Sequence, residues 1–365
     1  MQFKDIVGQR VLINNLTKII DSGRVSHAQL LVGPMGYGTM AVAMAYIQYL
    51  YCEHKVHYAE GAELRADSCG ECPSCKKIAN FMHPDVHLFF PTVVLSSSDK
   101  TDCDEYRKDF ADFMQENKMY ATVNDWYRTL GAENKQGTYR EKDSEEIVKK
   151  LSMKSYEGRY KTIVLWMPEL MPVKIANELL KSLEEPYDNT LILLVGESDS
   201  RMLPTVMSRV QSIRVNAITD GGLPEEAEGD YIEARREKEG AEDLGEFNTL
   251  FVEWMRLLFK LKMDMLSKLV DEIAALGRER QKAFLSFVLN NVRRCFEETM
   301  GVKAANLETG DEKFDKMFPS MITARNVEAI TESLNEAIYS IERNVYGKVV
   351  FMNLSFALSR HIKNR

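Results

Sequence analysis

The sequence holds 365 residues, which at about 150 per domain implies roughly two to three domains and excludes a mini-protein or a single tight module. Its composition, 45% hydrophobic and 28% charged with 10 Pro and 20 Gly, excludes wholesale disorder and collagen-like repetition. The 47 basic and 55 acidic residues leave a net charge of −8, which argues against a chain whose main task is to coat nucleic acid; any DNA contact must be local or shared with partners.

The opening MQFKDIVGQR lacks the basic-then-apolar order of a signal peptide. No stretch approaches the ~18 consecutive apolar residues of a membrane span, so the expected compartment is the cytoplasm, with no membrane partner. From residue 1 to about 216, short β-rich apolar runs alternate with longer helical stretches, the pattern of a parallel sheet covered by helices. Strands are predicted at Ala28–Val32, Val86–Phe90, Thr162–Met167, Thr190–Gly196 and Ser212–Val215, and helices at Ile6–Ser22, Thr39–Leu50, Ser144–Met153 and Val173–Glu184.

After the first strand comes Gly33-Pro34-Met35-Gly36-Tyr37-Gly38-Thr39-Met40 and then a helical run. Strand, glycine turn and helix in that order describe a nucleotide phosphate loop, in which Gly33, Gly36 and Gly38 let backbone N–H groups turn toward an anion at a helix start. A hydrolysing loop reads Lys and then Ser or Thr where this one reads Thr39 and Met40. It therefore lacks an ammonium for the β/γ-phosphates and a hydroxyl for Mg²⁺. The plain alternative is a Gly-rich turn that only joins strand to helix. The Mg²⁺-directing acid expected at the tip of a neighbouring strand is also missing: the third predicted strand ends in Trp166 and Met167, with Glu169 beyond a proline. Both losses point to weak or no nucleotide binding at Gly33, Gly36, Gly38 and Thr39, and to no hydrolysis of ATP/Mg²⁺ by this chain.

Of six cysteines, Cys52, Cys69, Cys72 and Cys75 fall inside 24 residues. Cys69-Gly-Glu-Cys72-Pro-Ser-Cys75 sets three thiolates on a tight knuckle, and Cys52, at the end of a predicted helix, completes a set suited to structural Zn²⁺. The alternative is four reduced, partly buried cysteines. Four thiolates would leave no open position for catalysis, and His54, His57 and His83 are read as solvated or core residues. A zinc-ribbon nucleic-acid binder would interleave basic and aromatic residues with the cysteines, yet only Lys76 and Lys77 follow them.

Between Val93 and Asp143 a polar insertion reads as loop with one or two surface helices. Residues 217–245 are acidic, Gly-rich and poor in large apolar groups, as expected of a small lid or linker. Beyond them apolar residues recur at three and four, as in Leu250, Trp254, Leu258, Leu261, Met265 and Leu269, so 246–365 is predicted all-helical.

Val7-Gly8-Gln9, the GPMGYG loop, the four-cysteine insertion, His83-Pro84-Asp85, the run Ala176 to Pro186 (ANELLKSLEEP) and Leu203 to Arg209 (LPTVMSR) stand in the order found in bacterial clamp-loader subunits. By these motifs residues 1–216 resemble the DNA polymerase III clamp-loader AAA+ family, in its non-hydrolysing delta-prime branch; the C-terminal third is similar in architecture alone. The resemblance implies an α/β AAA+ P-loop-type module over 1–216 with a zinc module at about 52–75, a small reduced lid over 217–245 and an all-α collar over 246–365. It implies gamma/tau and delta subunits as partners in a hetero-pentameric ring that loads a sliding clamp onto primed DNA. It also maps an arginine finger, presented in trans to a neighbour's ATP, onto Ser208 and Arg209. Val210 replaces the family's usual cysteine, and Ile232 stands where an ATP-sensing arginine would. Two alternatives stay open: an active ATPase subunit resembling gamma/tau, and an Arg209 that merely pairs with a carboxylate beside the sheet.

Overall fold

The computed structural model describes residues 1–33, 37–59, 61–95, 100–132, 135–216, 231–260, 263–301, 307, 309–343 and 345–363, with the backbone alone for 231–244, 260, 263 and 279. Two compact units emerge, Met1–Glu233 and Ala234–Arg365.

In the first unit a single 3₁₀ turn at Phe3–Asp5 precedes α1 (Arg10–Asp21). The helix starts four residues later than the apolar pattern from Ile6 suggests, because Gly8 and Gln9 both adopt left-handed backbone (φ 65° and 60°) and turn the chain first. Ile13, Leu16, Thr17 and Ile20 then fall on one buried stripe. β1 (Ala28–Val32) is buried at every residue, as an inner strand covered on both faces must be. α2 (Thr39–Tyr51) buries eleven of its thirteen residues, which its Ala-, Met- and Tyr-rich sequence permits on all sides. The small antiparallel pair β2 (Val56–His57) and β3 (Ala66–Asp67) leads into α3 (Pro73–Ala79), whose proline at the first turn lacks an N–H that would be orphaned there. Then follow β4 (Val86–Phe89), α4 (Cys103–Glu116), α5 (Val123–Thr129), α6 (Glu141–Ser152), β5 (Lys161–Trp166), α7 (Val173–Glu184), β6 (Thr190–Gly196), the single-turn α8 (Pro204–Met207) and β7 (Gln211–Arg214).

The main sheet is parallel throughout, in the order β4-β5-β6-β1-β7. Val32 is level with Gly196 on one side and Arg214 on the other, and Trp166 is level with Val195. The carboxyl ends of β1, β5 and β6 therefore lie side by side, the edge at which parallel α/β sheets bind ligands.

The insertion is more than a polar surface loop. α4 and α5 are capped by reciprocal pairs, Asp102 with Glu105 and Thr122 with Asp125, and each turns an aromatic face inward. Phe90 and Phe110 stack with centroids 3.8 Å apart, and Trp126 meets both rings edge-on. The polar caps dominate the sequence while the aromatic stripe does the packing.

The second unit is helical: α9 (Tyr231–Lys260), α10 (Met263–Ala275), α11 (Arg278–Thr299), α12 (Glu312–Met317), α13 (Val327–Glu342) and α14 (Gly347–Lys363). Its core holds Phe251, Trp254, Phe284 and Phe351, and the Trp254 indole N–H donates to Ser355 Oγ at 2.8 Å. Leu250, Trp254, Leu258 and Leu269 are buried as their spacing predicts, Met265 is exposed, and Leu261 lies outside the described residues. The segment read as lid or linker to residue 245 already contains the start of α9, while 217–230 lie outside the described residues. Among the described residues no helix is long and apolar enough to cross a membrane.

Candidate functional site

The glycine loop begins at the end of β1 with Gly33, whose N–H donates to Gly196 O at 3.3 Å, and ends at Gly38, the N-cap of α2. Gly36 lies outside the described residues. Gly38 requires glycine twice over: its φ is +81°, and a Cβ there would come within 2.4 Å of Cε1 of Tyr120. A Cβ on Gly33 would stand 2.5 Å from Val215 O and 3.2 Å from the hydroxyl of Thr39. The space between Gly38, Thr39, Tyr120, Trp166 and Gly196 is a cleft of about 20 Å³, room for about one water molecule. Met40, Trp166 and Met167 line it as buried apolar side chains. No ammonium or guanidinium belongs to the described lining. Tyr120 carries no motif that would have singled it out in the sequence.

Glu169, beyond the tip of β5, is committed elsewhere. Its side chain is fully buried, and Oε1 accepts from the N–H groups of Glu197 (2.8 Å) and Ser198 (3.3 Å), with Arg201 3.7 Å away. The carboxylate straps the end of β5 to the loop after β6.

Ser208 and Arg209 close α8 at the other end of the candidate set. The Arg209 guanidinium donates through Nε to Glu184 Oε1 at 2.7 Å, also through Nη2 to the same oxygen, and through Nη1 to Thr205 O (2.9 Å) and Ser208 Oγ (3.0 Å). Glu184 is the last residue of α7, where a cation also complements the helix dipole. The pair is open to solvent, with side-chain exposures of 31% for Arg209 and 49% for Glu184. Of the two readings for Arg209, the carboxylate pair is present within the chain.

The four cysteines predicted to cluster do so. Cys52 caps the end of α2, Cys69 and Cys72 flank the turn at Gly70, Cys75 lies in α3, and their sulfurs lie within 4.8 Å of one another. Cys52 and Cys69 are 3.6 Å apart and Cys69 and Cys75 3.9 Å, close to the edge of about 3.8 Å that a tetrahedron with 2.3 Å metal–sulfur bonds requires. Burial raises the Cys52 and Cys75 thiols. At Cys69 burial works against ionisation, but the N–H groups of Cys72 and Glu71 outweigh it and hold the thiol at about 6. The donor set fits a closed four-thiolate metal site. The module is fixed to the body by Asp67, whose buried carboxylate accepts from Phe3 and Lys4 N–H, each at 2.9 Å.

His83-Pro84-Asp85 is structural. Asp85 is buried and accepts from the backbone of Tyr156, Glu157 (2.8 Å) and Gly158 (2.6 Å), and its N–H donates to His83 Nδ1. Gln9 donates to Asn216 O at 2.5 Å, tying the Val7-Gly8-Gln9 turn to the chain beyond β7.

A family model described as DNA polymerase III, delta subunit, matches residues 8–219. The chain is similar to a DNA polymerase III subunit delta' of Pseudomonas aeruginosa, 29% identical over 184 residues that cover 50% of this chain and 41% of that protein. It is similar to the subunit delta' of Bacillus subtilis, 24% identical over 194 residues, 53% of this chain and 43% of that one. A subunit tau/gamma of Haemophilus influenzae is 23% identical over 218 residues, 60% of this chain and 24% of that protein. The chain thus spans less than half the length of the relatives it matches.

Proposed function

Because the chain belongs to the DNA polymerase III delta-subunit family, in its delta-prime branch, we propose that it acts as a non-hydrolysing subunit of a clamp loader. In this reading the first unit is an AAA+ module whose own nucleotide site is degenerate, and the helical second unit is a collar that orders the subunits. Gamma/tau and delta subunits complete a hetero-pentameric ring, and the ring loads a sliding clamp onto primed DNA. Zn²⁺ held by Cys52, Cys69, Cys72 and Cys75 stiffens the edge of the module and takes no part in chemistry.

The observation that carries the reading is the contrast between two sites: a cleft at Gly38 into which Met40, Trp166 and Met167 project, with no cation among its described lining, and a partly exposed Arg209 guanidinium beside Ser208. A chain so built spends no ATP itself but can lend a planar cation to phosphoryl transfer on a neighbour. Against the active-ATPase alternative, the non-hydrolysing reading is supported by Glu169, the first acid past β5, whose Oε1 accepts from the amides of 197 and 198.

The test is Arg209→Ala in a reconstituted assembly. The variant should fold and join the ring, yet depress DNA-stimulated ATP hydrolysis. An arginine finger is worth about 10³–10⁵ in rate at a single site, and several sites share the assembly, so the bulk loss is smaller. Clamp loading at the normal rate by the Arg209→Ala assembly would remove this role and leave the family membership standing.

A further inference from the structure

We propose that Tyr120, carried by the 93–143 insertion, is an internal plug that takes the place of a nucleotide at the glycine loop. The proposal rests on reading Gly33 to Thr39 as a degenerate phosphate loop, and it assigns the insertion a task that the losses at Thr39 and Met40 do not require.

Four observations converge on it. The Tyr120 ring lies directly on Gly38, so closely that no Cβ could stand between them, and thereby covers the start of α2 where a phosphate would meet backbone N–H groups. The tyrosine is held at its far end as well: its hydroxyl accepts from Val7 N–H at 3.1 Å, and the residue is 4% exposed. The ring is delivered by a turn that the backbone does not adopt without cause. Lys118 and Met119 are consecutive non-glycine residues at φ 46° and 66°, closed by Met119 N–H to Met114 O (2.8 Å) and Tyr120 N–H to Asn117 O (2.9 Å). Left-handed residues of this kind persist where the surroundings over-determine them. Finally, Trp166, one of the residues that departs from the hydrolysing pattern, anchors the insertion: its ring meets Phe110 of α4 at 5.1 Å, and its carbonyl accepts from the Tyr139 hydroxyl at 2.5 Å.

The cleft that remains, about 20 Å³, is far below the several hundred Å³ that an organic ligand occupies. The plug converts a ligand site into core, beside the ends of β5 and β6 and the start of α2. Restoring the missing lysine and hydroxyl is therefore insufficient to restore nucleotide binding.

The experiment compares three full-length chains for Mg²⁺-ADP binding by calorimetry: wild type, Thr39→Lys with Met40→Thr, and the same pair with Tyr120→Ala. The first two should show no binding at millimolar nucleotide, and the third should bind at least about tenfold more tightly than either. Equal binding by the second and third chains, or none by a folded third chain, overturns the plug. Should the triple variant fail to fold, Tyr120→Ala alone is melted with and without p-cresol. The phenol should refill the slot and raise the melting temperature of the variant but not of wild type; no rise overturns the proposal. All of these readings come from the isolated chain, so failure of the Arg209 role in the ring leaves them unchanged, and failure of the plug leaves the Arg209 assay unchanged.

Discussion

The Arg209 guanidinium rests on the Glu184 carboxylate, and the contact joins the two sequence motifs, 25 residues apart, that face the same solvent-open surface. Within the single chain the arginine is parked. A pair this exposed contributes little to folding, since solvent screens it and two side chains must be ordered to form it. Glu184→Gln should therefore change the unfolding free energy by less than about 1 kcal/mol. In the assembly it should leave ATP turnover at the wild-type level or above, because the guanidinium is released toward the neighbour. Thermal melts and assembly turnover check both halves. A loss as large as that of Arg209→Ala would mean that the pair, not the free arginine, is the functional unit.

The four-thiolate cluster should hold one metal ion per chain, with zinc the ion that matches sulfur donors at these separations. Metal analysis of chelator-free protein should find close to one equivalent. Stripping it should make four thiols titratable and lower the melting temperature by several degrees, about what a loss of 1–2 kcal/mol produces in a domain of this size. Four freely titratable thiols in untreated protein, with no metal, would contradict the assignment.

Acid should weaken the first unit through His87, half-buried on β4. Burial, aided by Lys150 and Arg107 and opposed by Asp85 and Glu146, pushes this imidazole down to about 4. The unfolded chain takes up its proton near pH 6.5, so between about pH 6.5 and 4 the unfolded state binds more protons and stability falls as the pH falls. The ceiling on this contribution is about 3 kcal/mol. His87→Gln should flatten the pH dependence of the urea midpoint between pH 7 and 5. His83, also pushed down by burial, leaves part of the slope in place. Parallel midpoint curves for the two proteins would show that His87 is not the group that titrates.

Much of the first unit was legible from residue patterns. Thr190–Gly196 and Val173–Glu184 have the predicted bounds, because a buried parallel strand and a one-faced helix each print their period directly in the sequence. The clustering of the cysteines was legible because three of them recur at three-residue spacing around Gly70 and Pro73. The start of α1 was not, since left-handed Gln9 is a choice of backbone that an apolar pattern ignores. Nor was the ring against Gly38: Tyr120 is 82 residues from Gly38 in the chain, and contacts made by tertiary packing leave no local trace. The partner of Arg209 was hidden for a related reason. Glu184 and Glu185 are neighbours in the same motif, and only the course of α7 decides which carboxylate reaches α8.

Among the described residues the order β4-β5-β6-β1-β7 leaves β4 and β7 each with one unpaired side, and both are only four residues long. On β7, Gln211, Ser212 and Arg214 are exposed, and Arg214 is held by Asp199 at 2.8 Å. An unpaired strand is a template for another chain, and brevity, polarity and charge are the means by which proteins blunt it. Growth of the sheet from molecule to molecule is thereby disfavoured, which suits the proposed role in an ordered ring. Replacing Ser212 and Arg214 with valine would turn a guarded margin into an adhesive one, and aggregation would compete with assembly.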